Sequence, residues 1–464
     1  MPEGNASIVK STPQWSLPML AVTLASLPLI LIGLPTVDWK VLVPIVGIAL
    51  VLFGSLVPPD FLILFALVGF LGANMPIVNQ GGVLTGFRWV MLFAMAIGFI
   101  LRDATQTNCA RAHPMYFSLV CFVFYAALSG LFSVNGFLTL LKAGAFGSLL
   151  LAVVLYGRLE SQHESGSSCK LVEQFYWCAA LVAAGCILTV LHFLPPSPGY
   201  FEGPFGNPNS LAAFISLVGP VLLLKLVQSL HQSPVRIIVC AALGLVLLVF
   251  LLMSRSRTGM VATFLACSWW LFFSYRKIFV LFVGGALLSA VVMWMYFPGY
   301  VQSLNQTYVQ KGNSYVLLSR AALLQDSWDA AKESPLVGAG FGVTKGYSED
   351  WEFGYETGDA GREKMNSFLA LVEEVGIVGA TLLVLPIVWV LVRVFRRLML
   401  FRMFHSSTEE FWILLTLSAC LVGGLADASG EAWLTAAGFY SAVMFWLVFG
   451  VLAARLTVPF RVPQ

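Results

Sequence analysis

The sequence predicts an all-α, polytopic integral membrane protein of about fourteen (12–14) transmembrane helices, with one long external loop carrying an amphipathic helix. Three observations predict it. Hydrophobic residues make up 59% of the 464, against 11% charged. The mean hydropathy is +0.86, more apolar surface than a soluble core of this length hides. Long apolar runs recur along the whole chain, which excludes a soluble domain on a single anchor.

A hydrocarbon core about 30 Å thick takes roughly 20 helical residues to cross. On that ruler spans fall near 17–34, 40–57, 60–76, 84–101, 115–133, 137–156, 171–193, 208–229, 235–253, 257–274, 278–297, 367–392, 410–426 and 434–454. The first, Leu17 to Leu34, follows a polar start without a small-residue cleavage site and reads as a retained span. The second and third are short and joined by Pro58-Pro59. Connections after even-numbered spans carry Arg102, Arg111, Arg158, Lys170, Arg236, Arg276, Lys277, the cluster Arg393, Arg396, Arg397 and Arg402, and the tail residues Arg455 and Arg461. By the positive-inside bias these are cytoplasmic, and so are both termini.

Four segments then face outward: 194–207, 254–257, 298–366 and the 427–433 corner. The long one holds an amphipathic helix from about Val316 to Lys332, with Leu317, Ala321, Leu324 and Trp328 on one face. Gly338-x-Gly-x-Gly then marks a turn. It lacks the ending of a phosphate-binding loop and follows no strand. Eight scattered cysteines form no CxxC pair and read as apolar packers. Five scattered histidines give no metal motif, so neither metal nor cofactor is expected.

The strongest local anomaly is Ser254-Arg255-Ser256-Arg257-Thr258-Gly259, at the outer junction of the ninth and tenth spans. Two arginines there run against the charge bias. Snorkelling to the interface is one account. An anion clamp is the other, because guanidinium forks match phosphate oxygens and the three hydroxyls add donors. Arg320, on the external helix, is a third cation for the same clamp. In Gly203-Pro-Phe-Gly-Asn-Pro-Asn-Ser, Asn209 or Ser210 caps the eighth span, while Asn207 and Asn209 suit sugar hydroxyls. Asn366 opens the twelfth span, and Glu373-Glu374 lie about two turns inside it. Buried carboxylates in a span must face a bundle interior or an aqueous cavity. They pair with an arginine, orient the clamp, or serve as general base. Lys142 and Arg88 add positive charge to the same cavity or snorkel. Asp427 and Glu431 read as solvated corner residues.

In this order, the Asn-Pro-Asn turn, Ser-Arg-Ser-Arg-Thr-Gly, Arg320…Trp328, Glu333-Ser-Pro-Leu-Val-Gly-Ala-Gly-Phe-Gly and Asn366-Ser-Phe-Leu-x₄-Glu-x-Gly-Ile-Val-Gly resemble the O-antigen ligase and polymerase superfamily of bacterial membrane glycosyltransferases. The match runs from Gly203 to about Gly379. The resemblance implies one membrane domain over 1–464, with an N-terminal helical bundle region at 17–193 and a ligase-like core at 200–380 that includes the external loop 298–366. It implies a multi-pass protein of the bacterial inner membrane. The donor would be an undecaprenyl-pyrophosphate-linked glycan and the acceptor a lipid-linked repeat or lipid A core sugar, with membrane lipid around the chain and no nucleic acid. The chemistry would be metal-independent and inverting. Arg255, Arg257, Arg320 and Glu374 are the expected catalytic residues. Asn207, Asn209, Ser254, Ser256, Thr258, Asn366, Glu373 and Lys142 are the expected substrate-binding residues. Ligases typically carry histidine where this chain has Met365, which favours a polymerase and leaves Glu373, Glu374 or Glu363 to take its part. A transporter of a small anion such as bicarbonate, or of a lipid-linked sugar, is the rival reading. Transfer of the glycan to protein is a third.

Overall fold

A computed structural model describes residues 57–76, 79, 83–104, 114–162, 169–191, 201–230, 232–296, 310–311, 314–344, 364–404 and 408–457. The expected span 17–34, and all but the last residue of 40–57, lie outside them. Helices occupy every later span segment: α1 (Pro59–Ala73), α2 (Val83–Ala104), α3 (Pro114–Leu128), α4 (Gly136–Gln162), α5 (Lys170–Val190), α6 (Pro208–Ser229), α7 (Pro234–Ser254), α8 (Arg257–Ser274), α9 (Arg276–Tyr296), α11 (Ser367–Met403), α12 (Glu409–Ala428) and α13 (Tyr440–Thr457). The extramembrane α10 (Val316–Glu333) follows an antiparallel pair of two-residue strands, β1 (Gln310–Lys311) and β2 (Ser314–Tyr315). By length and composition 8 described helices suffice to cross a membrane, so the chain is a multi-pass, helical membrane protein.

The core of the bundle is built by α4, α6, α8, α12 and α13. Small residues bring these helices together, as lipid-solvated bundles require when no hydrophobic effect drives association. A side chain at Gly157 of α4 would collide with the carbonyl of Gly450 on α13, and one at Gly259 of α8 with Ala212 of α6. Along α13 every residue from Tyr440 to Ala454 is buried, whereas α9 buries none and presents its apolar surface outward. The 7 described free cysteines are buried or half-buried within this packing.

Three sequence expectations change. The cluster Arg393–Arg402 belongs to the last turns of α11 rather than to a connection, because the helix runs 37 residues before ending at Met403. The last helix starts at Tyr440, not near 434. Residues 433–439 instead make two tight turns, closed by Ala436 N–H to Trp433 O (2.9 Å) and Phe439 N–H to Ala436 O (2.8 Å). The buried stripe of α10 is Ser327 and Ala331, four residues apart, rather than the Ala321–Leu324–Trp328 face. Small side chains let α10 lie close on α11, whereas Trp328 is 52% exposed with the Lys332 ammonium over its ring. Leu317 lies outside the described side chains.

The helix α11 breaks where the external loop returns to the bundle. Gly376 has φ 63° and ψ −177°, a conformation closed to residues with a Cβ. The break deprives two carbonyls of their helical donors, and a span must satisfy its backbone internally. The glycine turn supplies the partners: Ala339 N–H reaches Glu373 O and Gly340 N–H reaches Glu374 O, both at 2.9 Å, and Ile377 N–H donates to Pro335 O at 2.8 Å. Gly338 packs so tightly on the Glu374 carbonyl that no side chain fits. The Gly-x-Gly-x-Gly turn is thus the staple that fastens residues 334–342 onto a broken span.

Candidate functional site

A cavity of about 560 Å³ opens among the N-terminal ends of α6 and α11, the first turns of α2 and α4, the glycine turn and the 431–439 corner. Asn207 caps α6, its Oδ1 accepting from Asn209 N–H (2.8 Å) and Ser210 N–H (3.3 Å), with Pro208 at the first helical position, where its missing donor costs nothing. The cap is therefore Asn207 rather than Asn209 or Ser210. Both Asn207 and Asn209 line the cavity.

Lys142, Arg88 and Lys364 bring positive charge to the cavity wall, and Glu374 and Glu431 bring negative. Lys364 sits at the end of the external loop, its Nζ 2.7 Å from Glu374 Oε1 and 3.6 Å from Glu373 Oε1. Gly342 N–H donates to Glu374 Oε2 at 2.8 Å, so both carboxylate oxygens of Glu374 are engaged by the loop. Glu373 is fully buried and Glu374 nearly so. Two adjacent carboxylates are tolerable at this depth because an ammonium and an amide answer them. The partner expected for them was an arginine. It is Lys364, with Lys142 donating to Gly342 O beside them.

The Ser254–Gly259 corner adjoins the cavity without lining it. Ser256 donates to Asn209 Oδ1 at 2.9 Å, which ties the corner to the cavity wall. Ser254 donates to Leu251 O (2.7 Å) and accepts from Ser256 N–H (3.3 Å), and Thr258 packs against Gly430. Arg255 caps α7 in the left-handed region (φ 52°), the only non-glycine residue there among those described. That conformation costs roughly 1–2 kcal/mol, a strain of the kind held at functional corners. Arg257 starts α8. The backbone places Arg320 on α10, and its side chain lies outside the described ones, as does all of Glu363.

Asn366 does not line the cavity. Its Oδ1 caps α11 by accepting from Phe368 N–H (2.9 Å) and Leu369 N–H (3.0 Å), and its Nδ2 donates to Ser429 O (2.6 Å). Met365 is half-buried beside it. The corner residues are not simply solvated. Asp427 is fully buried, accepting from Trp433 Nε1 at 2.8 Å, and Glu431 lines the cavity. Ser367 locks this corner, donating to Glu431 O (2.6 Å) while accepting from Trp433 N–H (3.1 Å) and Leu434 N–H (3.2 Å). Nothing in the sequence pattern points to Lys364, which precedes α11 in a polar loop. Asn366, expected among the substrate-binding residues, has its amide engaged by the helix cap and Ser429 O, and Ser367 was visible only as part of a helix start. Among the described residues no cluster of three His, Cys, Asp or Glu is set to hold a metal ion.

Residues 242–384 match the family model described as O-Antigen ligase, a stretch that runs from α7 through the external loop into α11. The chain is also 29% identical over 212 residues to "Exopolysaccharide production protein ExoQ" of Rhizobium meliloti (strain 1021). That match covers 42% of this chain and 47% of the relative, so it spans about half the relative's length.

Proposed function

We propose that the chain belongs to the O-antigen ligase and polymerase superfamily and joins undecaprenyl-pyrophosphate-linked oligosaccharides at the outer face of the bacterial inner membrane, as a polymerase rather than a lipid A core ligase. One observation carries the reading: the cavity whose wall holds Arg88, Lys142 and Lys364 with Asn207 and Asn209, abutting the Ser-Arg-Ser-Arg-Thr-Gly corner of the matched domain. A glycan needs hydroxyl-binding amides, and a departing pyrophosphate needs fixed cations in a water-poor site. Both sets meet here.

In the reaction an acceptor hydroxyl attacks the anomeric carbon of the donor from the face opposite its phosphate. The sugar–oxygen bond to pyrophosphate breaks, the new glycosidic bond forms with inverted configuration, the acceptor's hydroxyl proton passes to solvent, and undecaprenyl pyrophosphate departs with the bonding electron pair. Arg255, Arg257 and Arg320 hold the pyrophosphate at the approach to the cavity and offset the charge that develops on it. No metal step is required of these cations. Asn207 and Asn209 bind sugar hydroxyls, with Ser256 steadying the Asn209 amide from the corner behind it. Glu374, held by the glycine turn, fixes Lys364 and the loop around the acceptor, with Glu373 behind it.

The charge distribution supports the orientation. Arg102, Arg158, Arg397, Arg402 and Arg455 gather at the helix ends away from the cavity, the pattern expected of a cytoplasmic side. Absence of a histidine at Met365 and a relative named for exopolysaccharide production both favour polymerase over ligase. The test is a size profile of surface and carrier-linked glycans in cells with and without the protein. Single repeats replacing long chains are the expected result. Long chains stranded on the carrier would reassign it as a ligase or protein transferase, and an unchanged profile would favour the transporter reading.

A further inference from the structure

Three arginines of the described bundle are paired with carboxylates, whereas Arg402, at the end away from the cavity, donates to the Phe272 carbonyl (3.4 Å). Arg158 pairs with Asp103 (3.3 Å), Arg397 with Glu410 (2.7 Å) and Arg455 with Glu160 (3.8 Å). Arg88 has no such partner among the described residues. It lies in the second turn of α2, lines the cavity, and donates from Nη1 to the Gly438 carbonyl at 3.1 Å. Its Nε is buried without a hydrogen-bond partner. The same is true of Nε in Arg158, Arg397 and Arg455, so the deciding difference is the missing carboxylate. A cation in a membrane span is expensive and is kept where it answers a charge or faces a polar space. A guanidinium has five donors, and one carbonyl occupies one of them. The guanidinium packs closely on Gly438, with Cζ and Nη1 each 3.6 Å from where a Cβ would stand, and the planar group keeps further donors for an oxyanion. The Asn74 amide also reaches the Gly438 carbonyl (3.5 Å), so that carbonyl does not depend on Arg88 alone.

Resting on the glycosyltransferase reading, we infer that Arg88 is the anion contact of the cavity: its guanidinium takes an oxyanion of the substrate, alongside Lys142 and separate from the Arg255–Arg257 corner. A phosphate of the carrier and a carboxylate of an acidic sugar present the same oxygen geometry to it. Lys364 is already committed to Glu373 and Glu374, so it positions the loop and leaves Arg88 as the group with donors to spare.

The test uses the full-length protein in lipid nanodiscs and compares wild type with Arg88→Gln, Arg88→Lys and Arg88→Ala. Glutamine keeps a donor for Gly438 and removes the charge. The probes are undecaprenyl pyrophosphate, a glucuronic-acid-containing oligosaccharide and a neutral oligosaccharide of equal length. Arg88→Gln is expected to weaken an anionic probe at least about tenfold, the scale of one charge-assisted hydrogen bond, with Arg88→Lys in between and thermal unfolding unchanged. Loss confined to undecaprenyl pyrophosphate assigns the phosphate source, and loss confined to the acidic oligosaccharide assigns the sugar. The inference is overturned if Arg88→Gln binds both anionic probes like wild type, if wild type binds neither, or if the neutral probe weakens equally. A loss seen only in Arg88→Ala, together with a lowered melting temperature, reduces Arg88 to a brace for Gly438 and also overturns it. Wild type that binds through Arg88 yet leaves the cellular glycan profile unchanged would sink the glycosyltransferase reading and leave this inference standing.

Discussion

The two ends of the bundle hold similar charges in different ways. At the end away from the cavity, arginines are tied into carboxylates and carbonyls: Arg397 reaches Glu410 (2.7 Å) and Arg455 O (3.0 Å), Arg455 reaches Glu160, and Arg158 reaches Asp103. Glu410 keeps 36% of its side chain exposed there, so water shares the load. At the cavity end the acidic pair Glu373 and Glu374 is buried, its ammonium partner Lys364 comes from a loop, and Arg88 faces the cavity with no ion-pair partner among the described residues. Lys142 and Arg158 sit sixteen residues apart on one helix, about 24 Å along its axis. One set of charges anchors helix ends at an interface. The other is organised around a space.

The largest effect that separates the two ends is expected at the staple. Gly376→Val forces a Cβ into the Leu336 backbone and out of its allowed conformation, so at least about 2 kcal/mol is lost. Thermal unfolding in detergent, with proteolysis at 334–344, reads it. An unaltered melting temperature would mean that the break in α11 is not held as described. Gly450→Val is the matching change at a helix contact, where the Val153 carbonyl blocks the new side chain.

Next comes Lys364→Met, which removes the ammonium from beside two buried carboxylates and should cost about 3–5 kcal/mol. Adding Glu373→Gln and Glu374→Gln should restore much of that stability, though not glycan assembly. If the single change is harmless to the melting temperature, the cavity-end cluster is no more buried than its counterpart. Arg397→Met provides the counterpart. Its partially exposed partner Glu410 rehydrates, so about 1 kcal/mol is expected, read in the same unfolding assay. A loss as large as that of Lys364→Met would erase the distinction between the two ends.

The smallest effect is a pH dependence on α10. Hydrogen bonds from Lys332 (2.9 Å) and Gln325 (2.8 Å) hold the Asp329 carboxyl below its ordinary value of 3.8. A depressed acid stabilises the folded form above its unfolded value, and that contribution fades as pH falls through the depressed folded value. Amide hydrogen exchange in α10 should therefore quicken only on acidification below about 3.8, and Asp329→Asn should abolish the step. A step centred near neutral pH would assign the change to another group.

Much of this architecture was legible in the residues. Spans are written as apolar length, and every described one became a helix because a backbone in lipid has few other ways to satisfy itself. Lys142 and Glu374 stand out in the sequence as charges within spans and Asn207 and Asn209 as amides at the outer surface, and all four line one cavity. Lys364 was not legible, because a lysine before a helix in an acidic loop looks solvated until the loop folds back onto Glu373 and Glu374. The Gly338–Gly342 run was legible as a turn, but its task was not, since the break at Gly376 that it serves lies 38 residues further on. Asp427 misled for a related reason: a corner aspartate becomes buried only because Trp433 closes over it.

The sequence by itself determined that this chain is helical and membrane-embedded and that its motifs resemble those of the O-antigen ligase and polymerase superfamily, because hydropathy acts over single segments and the motifs are local. Tertiary structure alone decided which cations share a space. The six sequence regions that wall the cavity are separated by up to some 350 residues, as in the Arg88–Gly438 contact, and no local pattern encodes that meeting. Burial decided the rest, since the same side chain is a surface charge in water and a committed partner or an open site within the bundle.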